Sequence, residues 1–219
     1  MRAHPIPPVT EPMQYRAIGL VEGTYTPADP DNLARGVLTT VDGEAVDAVV
    51  LGRVLSLLRR HVDLALPHLW VVYPRSRETG RLQLQLVGVW EPSTLARSED
   101  GEAAGDAVGD AVVVASDSLP EGDGYFSVRG ELVFTRPESG DLVIKVRQKP
   151  RADGSRPQPF KIPLRGEVPL DHLRQFVSLG ARRRGQQLEL ETLEVVGPLP
   201  RSGDRRGGRR QVRRNPGPT

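Results

Sequence analysis

The residues with the clearest chemistry are the arginines near the C-terminus. Residues 201–219 hold seven arginines and one aspartate, a net charge of +6. A guanidinium group pairs with phosphate through two parallel hydrogen bonds and stacks on nucleobases, which lysine cannot do. The segment has almost no apolar content to fold around, so we expect a disordered cationic tail. Its candidate contacts with nucleic acid are Arg205, Arg206, Arg209, Arg210, Arg213 and Arg214.

A second basic cluster is spread over residues 149–184. Together with the tail it is suited to tracking the phosphates of a nucleic acid. The alternatives are a solubilising tail, a docking strip for an acidic protein, and ordinary exposed loop charge. The candidates are Lys149, Arg151 and Arg156 in one loop, Lys161 and Arg165 on the strand after it, and Arg182, Arg183 and Arg184 in the loop before the last strand; Arg75, Arg77 and Arg81 hold the corresponding place earlier in the chain.

Aromatic residues make up only 5% of the chain. Trp70, Tyr73, Phe126 and Phe134 lie within apolar strand segments, where core packing is expected for most of them. Tyr25 and Trp90 near strand ends are expected to be partly exposed. Sites for single-stranded nucleic acid usually present aromatic platforms for base stacking. The composition therefore favours a salt-sensitive mode that contacts the phosphate backbone over base-specific recognition.

No catalytic, metal or cofactor site is predicted. The chain has no cysteine and four histidines, none of them paired at close helical ligand spacing. Neither a phosphate-binding G-x-x-x-x-G-K-[ST] loop nor a G-x-S-x-G nucleophile turn occurs. No apolar run approaches the ~20 residues that span a bilayer. These features indicate a soluble, cytoplasmic protein without a membrane contact and without enzymatic activity.

The elements that position these side chains form two similar modules. Each module opens on a glycine-bearing apolar strand, at 15–25 and at 125–134. Each closes on an alternating strand that ends at a proline, at 82–92 and at 188–198. The pair Asp42-Gly43 between two β-rich runs predicts a hairpin in the first module, because glycine accepts the positive φ of a tight turn.

A helix is predicted between the third and fourth strands of each module. In the first module the apolar residues from 51 to 62 fall on one helical face, and Pro67 ends the helix region. In the second module a short helix is expected at 170–175, after Pro169. Both modules therefore have the order strand, strand, strand, helix, strand, strand. The residues of the first helical face are Leu51, Val54, Leu55, Leu58 and Val62.

This order resembles the OB-fold, a small Greek-key barrel whose first strand bends sharply at glycine. The predicted fold class is all-β with short helices (a β-rich α+β chain), with two OB-like five-stranded barrels in tandem. The alternatives are another small β-barrel and an α+β sandwich with a five-stranded sheet. The predicted boundaries are a disordered arm at 1–12, barrels at 13–92 and 125–200, an acidic linker at 93–124, and the tail at 201–219.

Two segments also resemble a conserved family of cyanobacterial proteins of uncharacterised function. They are Pro67-His-Leu-Trp-Val-Val-Tyr-Pro74 and Leu86-Val-Gly-Val-Trp-Glu-Pro92. The resemblance extends over most of 13–198 but carries no catalytic motif. It implies a cytoplasmic housekeeping or regulatory role.

The sequence thus predicts a non-enzymatic protein that binds RNA or single-stranded nucleic acid through its second barrel and its arginine-rich tail. The first module has a net charge of −1 and is the expected site for a protein partner. The alternative is a protein–protein adaptor, or a regulator of RNA metabolism, that makes no contact with nucleic acid. The linker has a net charge of −7, so masking of the tail by the linker is a further hypothesis.

Overall fold

Ten strands, one α-helix and one 3-10 turn make up the described part of the chain. The computed structural model describes residues 4–77, 80–90 and 119–199. The first module contains β1 (Arg16–Asp29), β2 (Asn32–Thr40), β3 (Ala45–Val50), α1 (Gly52–His61), β4 (His68–Ser76) and β5 (Leu82–Val89). The second contains β6 (Tyr125–Arg136), β7 (Asp141–Val146), β8 (Phe160–Arg165), the 3-10 turn (Leu170–His172), β9 (Gln175–Arg184) and β10 (Gln187–Pro198).

Each module closes into a five-stranded ring. In the first ring β1 pairs with β2 and with β4, β2 pairs with β3, and β5 lies between β3 and β4. The β3–β5 pairing is parallel and the others are antiparallel. The second ring repeats this order, and a single parallel pair, Arg165 with Glu189, joins β8 to β10. The prediction of two OB-like five-stranded barrels is confirmed.

Glycine allows the first strand of each barrel to pair with two neighbouring strands. Gly23 pairs with Thr40 of β2 and with His68 of β4, so β1 changes partner at this residue. A Cβ on Gly23 would overlap the carbonyl oxygen of Thr39. In β6 the residue that pairs with both neighbouring strands is Glu131, and a Cβ on the adjacent Gly130 would overlap the carbonyl oxygen of Lys145. In both barrels a glycine therefore lies at or next to the residue where the first strand changes partner.

The helix of the first module has the predicted face except at Leu51, which precedes the helix and is 36% exposed. Val54 and Leu58 are buried, and Leu55 and Val62 pack against the same core. In the second module the expected helix at 170–175 is only the 3-10 turn. The turn does not continue as a helix because Arg174 adopts a φ of 66° and donates its backbone N–H to the carbonyl of Leu132.

The two barrels share one core. The first strands β1 and β6 pair antiparallel from Arg16 opposite Arg129 to Gly19 opposite Phe126. This pairing joins all ten strands into one sheet. Val21 and Trp70 of the first barrel belong to the same buried cluster as Leu132 of the second. The two modules therefore pack against each other through a shared sheet and a shared core.

Segments outside the strands also pack on the barrels. Ile6 is buried, and Arg16 and Arg129 donate hydrogen bonds to the carbonyls of Pro7 and Pro12 at 2.7 and 2.6 Å. These contacts differ from the disordered arm expected for residues 1–12. Leu119, at the end of the predicted linker, packs on a second apolar cluster with Ile6. Residues 91–118, including most of the acidic linker, lie outside the described residues.

Candidate nucleic-acid interface

The loop between β7 and β8 presents cations to solvent. Lys149, Arg151 and Arg156 in this loop are exposed, as is Lys161 on β8. None of these four forms an ion pair with any residue that the structure describes. The acid within the loop, Asp153, accepts a hydrogen bond from the backbone N–H of Ser155 at 2.8 Å, and hydrogen bonds from Ser155 lower its pKa. Among the described residues, no carboxylate thus lies within ion-pair distance of these four predicted cations.

The three consecutive arginines 182–184 lie elsewhere than predicted. They end strand β9, and the loop before β10 contains only Gly185 and Gln186. Arg182 donates to both carboxylate oxygens of Glu191, at 2.9 and 3.1 Å. The side chain of Arg183 is only 3% exposed, and Arg184 lies 3.8 Å from Glu189. Because side chains alternate along a strand, Arg183 points inward where an exposed loop residue was expected.

The buried arginine joins the two barrels. Arg183 donates from Nη2 to Oδ1 of Asp42 at 2.7 Å, and from Nη1 to the carbonyl of Gly185 at 3.0 Å. Beside it, Gln186 donates to Glu44 and to the carbonyl of Ala45, both at 2.8 Å. The β2–β3 turn of the first barrel thus covers the β9–β10 loop of the second. That loop normally borders the binding face of an OB barrel, so this flank is closed to a ligand.

Other predicted cations are also paired. Arg165 donates to Asp141 at 2.7 Å and to the carbonyl of Ser139 at 3.0 Å. In the first barrel Arg77 lies 3.1 Å from Asp47. The six tail candidates, from Arg205 to Arg214, lie outside the described residues.

A cleft of about 550 Å³ follows the junction of the barrels. The start of β1 and the end of β4 line it from the first barrel, and the β7–β8 region lines it from the second. Residues 7–14 form one edge. Its aromatic and basic side chains are Tyr15, Arg16, Tyr73, Arg75, Arg147, Lys149 and Phe160, and Glu11 is the acid among its lining residues.

Arginines and aromatic rings meet across this cleft. The guanidinium carbon of Arg75, from the first barrel, lies 3.9 Å from the ring centre of Phe160, from the second. Arg147 of the second barrel lies 5.8 Å from the ring centre of Tyr15. Burial lowers the pKa of Arg75 and of Arg16, but a guanidinium remains charged at neutral pH. Within the described ranges Arg75 and Arg16 have no acidic partner, whereas Arg147 lies 3.8 Å from Glu131.

Tyr73 opens onto the cleft. It is 37% exposed, and its ring forms no pair with another aromatic ring among the described residues. On β4 its neighbours Val72 and Pro74 are buried, so alternation turns Tyr73 outward. Phe134 is also exposed, at 39%, so core packing holds for two of the four aromatic residues for which most were expected to be buried.

The other aromatic predictions have mixed outcomes. Trp70 and Phe126 are fully buried, as predicted. Trp90 is partly buried, whereas Tyr25 is 1% exposed and does not match its expected exposure. The ring of Tyr25 packs edge-on against Trp70, and its hydroxyl donates to the carbonyl of Leu33 at 2.9 Å. Because a backbone carbonyl accepts the hydrogen bond of its hydroxyl group, Tyr25 can be fully buried near the end of a strand.

No group of three or more histidine, aspartate or glutamate side chains within residues 4–77, 80–90 and 119–199 could hold a metal ion. In the same residues no helix is long and apolar enough to cross a membrane.

The paired barrels define a class of protein with tandem OB-fold domains. Residues 17–97 match the N-terminal OB-fold domain of the PatR RNA-binding protein, and residues 128–197 match a cyanobacterial C-terminal OB-fold-like RNA-binding domain. The two matches together cover more than half of the chain and occur in tandem. The chain therefore belongs to the PatR family. Comparison with curated proteins gives no match.

Proposed function

We propose that this chain is a non-enzymatic RNA-binding protein whose second barrel supplies most of the phosphate contacts. The observation that carries the proposal is the loop between β7 and β8, with Lys149, Arg151 and Arg156 exposed and without an acidic partner among the described residues. The RNA-binding description of both matched domains supports the same function.

The contribution of each predicted cation differs. Lys149 lies both in the loop and on the cleft, so it connects the two surfaces. Lys161 adds a further charge on β8. Arg184 is 67% exposed and contributes at the edge, whereas Arg182, Arg183 and Arg165 stabilise the barrels through their carboxylate partners. The seven arginines of residues 201–219 add sequence-independent attraction to phosphate.

The test is a salt series of binding titrations. Fluorescence anisotropy of a labelled single-stranded RNA is measured with the full chain and with Lys149→Gln, Arg151→Gln and Arg156→Gln combined. Each phosphate contact on a single strand contributes about 0.7 to the slope of log affinity against log salt. Loss of three contacts is expected to flatten the slope by about 2.

A matched control removes three exposed cations from the first barrel. Arg35→Gln, Arg59→Gln and Arg60→Gln combined change the net charge equally, and all three arginines are exposed. The control is expected to leave the slope almost unchanged. Equal effects of the two triple variants would contradict the assignment to the second barrel. Absence of binding at low salt would contradict RNA binding altogether and would favour the adaptor role.

The tail is tested in the same assay. Replacing its seven arginines with glutamine in the full chain is expected to flatten the slope further, and an unchanged slope would count against a tail contribution. We also propose a cytoplasmic location, in keeping with a chain that lacks cysteine. Imaging of a fluorescent fusion tests it, and an extracytoplasmic signal would contradict it.

A further inference from the structure

The cleft between the barrels combines an unoccupied aromatic face with positive charge. Tyr73 is exposed on its wall, and Arg75, two residues along β4, faces the same side. Phe160 lies beneath the Arg75 guanidinium at 3.9 Å. Lys149 and Arg147 approach from the second barrel, and the Arg147 side chain, which lies 3.8 Å from Glu131, is 54% exposed. We propose that this cleft holds one unpaired RNA nucleotide, with its base stacked on Tyr73 and its flanking phosphates on Arg147 and Lys149.

The inference rests on the proposed RNA binding and adds a subsite to it. Stacking requires an accessible π face, and Tyr73 supplies one without a ring partner among the described residues. Arg75 adds a guanidinium plane, which also stacks on bases. A base removed from a duplex exposes both faces, so the cleft selects single-stranded RNA over a continuous helix.

Both barrels are needed for this subsite. Tyr73 and Arg75 belong to the first barrel, and Arg147, Lys149 and Phe160 belong to the second. The lining of the cleft does not include the β9–β10 loop of the second barrel, which Asp42 and its neighbours cover. The pairing of β1 with β6 therefore creates the proposed binding surface at the junction of the barrels. The docking of the first barrel on the second closes the part of the second barrel's binding face that the β9–β10 loop borders.

The experiment compares two RNA probes that carry the same phosphates. One is a single-stranded hexamer with bases, and the other is the same hexamer built from abasic sugars. The full chain is expected to bind the first at least about fivefold more tightly than the second, from one stacked base. Tyr73→Leu is expected to bring this ratio close to one, and Tyr73→Phe, which keeps the ring, is expected to preserve it.

The matched control is Phe134→Leu. Phe134 is 39% exposed and has Arg136 at 5.6 Å from its ring centre, but it does not line the cleft. Its loss is expected to leave the ratio unchanged. The inference is overturned if Tyr73→Leu keeps the ratio, if Phe134→Leu lowers it equally, or if the unsubstituted chain binds both probes equally tightly. Failure of the unsubstituted chain to bind either probe at low salt would overturn the proposed function as well.

Discussion

The ring of Phe126 lies over Gly19 at directly paired positions of β6 and β1. This pair sits at the end of the strand pairing that joins the two barrels, and Phe126 is fully buried. A Cβ on Gly19 would overlap three atoms of the Phe126 ring. The absence of a side chain on one strand therefore makes room for the aromatic side chain of the other.

Gly19→Ala is expected to destabilise the protein by about 1–3 kcal/mol, because the added methyl group forces the Phe126 ring or the strand to shift. The free energy of unfolding in urea measures this effect. Gly88→Ala on β5 is the control, since its Cβ would lie 3.7 Å from the nearest atom, an ordinary contact. Equal losses in the two variants would show that packing over Gly19 is not the cause.

The Asp42–Arg183 pair is expected to stabilise the docking of the barrels. Asp42→Asn leaves the guanidinium of Arg183, which is 3% exposed, without its carboxylate. We expect a loss of about 1–3 kcal/mol, less than for a fully buried pair because the Asp42 side chain is 50% exposed. Urea unfolding measures it. Asp47→Asn, which breaks the exposed Arg77–Asp47 pair, is expected to cost under about 1 kcal/mol. A similar cost for both would contradict a docking role.

The same pair makes stability depend on pH in the acid range. Hydrogen bonds from Arg183 and then Thr40 lower the pKa of Asp42 from 3.8 to about 2. A carboxylate with a depressed pKa in the folded state contributes stability that is present above pH ~4 and is lost as the pH falls towards 2. The difference in unfolding free energy between the unsubstituted chain and Asp42→Asn should therefore shrink over this interval. A difference that stays constant from pH 5 to pH 2 would refute the assignment.

The hydroxyl groups of Tyr15 and Tyr25 differ in hydrogen bonding, so replacing each tyrosine with phenylalanine should have a different effect on stability. The hydroxyl of Tyr15 is buried without a hydrogen-bond partner in the described chain, and burial raises its pKa. Tyr15→Phe is expected to leave stability unchanged or to raise it by up to about 1 kcal/mol, because the ring contact with Phe176 remains. Tyr25→Phe loses the bond to Leu33 and is expected to cost about 1 kcal/mol. Thermal and urea unfolding compare the two, and equal costs would contradict this account.

Local sequence patterns predict much of the fold. The Asp42-Gly43 turn lies between β2 and β3 as predicted, with Gly43 at a φ of 81°. The helical face of Val54 and Leu58 is buried as predicted. These features depend on periodicity and turn chemistry within one module, which neighbouring residues largely determine.

The candidate site depends on contacts between modules, which local patterns do not specify. Arg183 meets Asp42, a residue 141 positions away, so its burial follows from how the barrels dock. Strand alternation turns the side chain of Tyr73 away from the core of the first barrel. The β1–β6 pairing then places the second barrel across the cleft from Tyr73, which the sequence of one module does not specify. The loop cations Lys149, Arg151 and Arg156 could be identified because the charge of an exposed loop does not depend on docking.

Cross-linking tests the central claim most directly, namely that RNA lies across the junction of the two barrels. A short single-stranded RNA containing 4-thiouridine is irradiated with the full chain, and the linked peptides are identified by mass spectrometry. We expect links to peptides that contain Tyr73 or Phe160, and to the loop with Lys149. Links confined to the surface around Phe134, or to residues 201–219 alone, would contradict it.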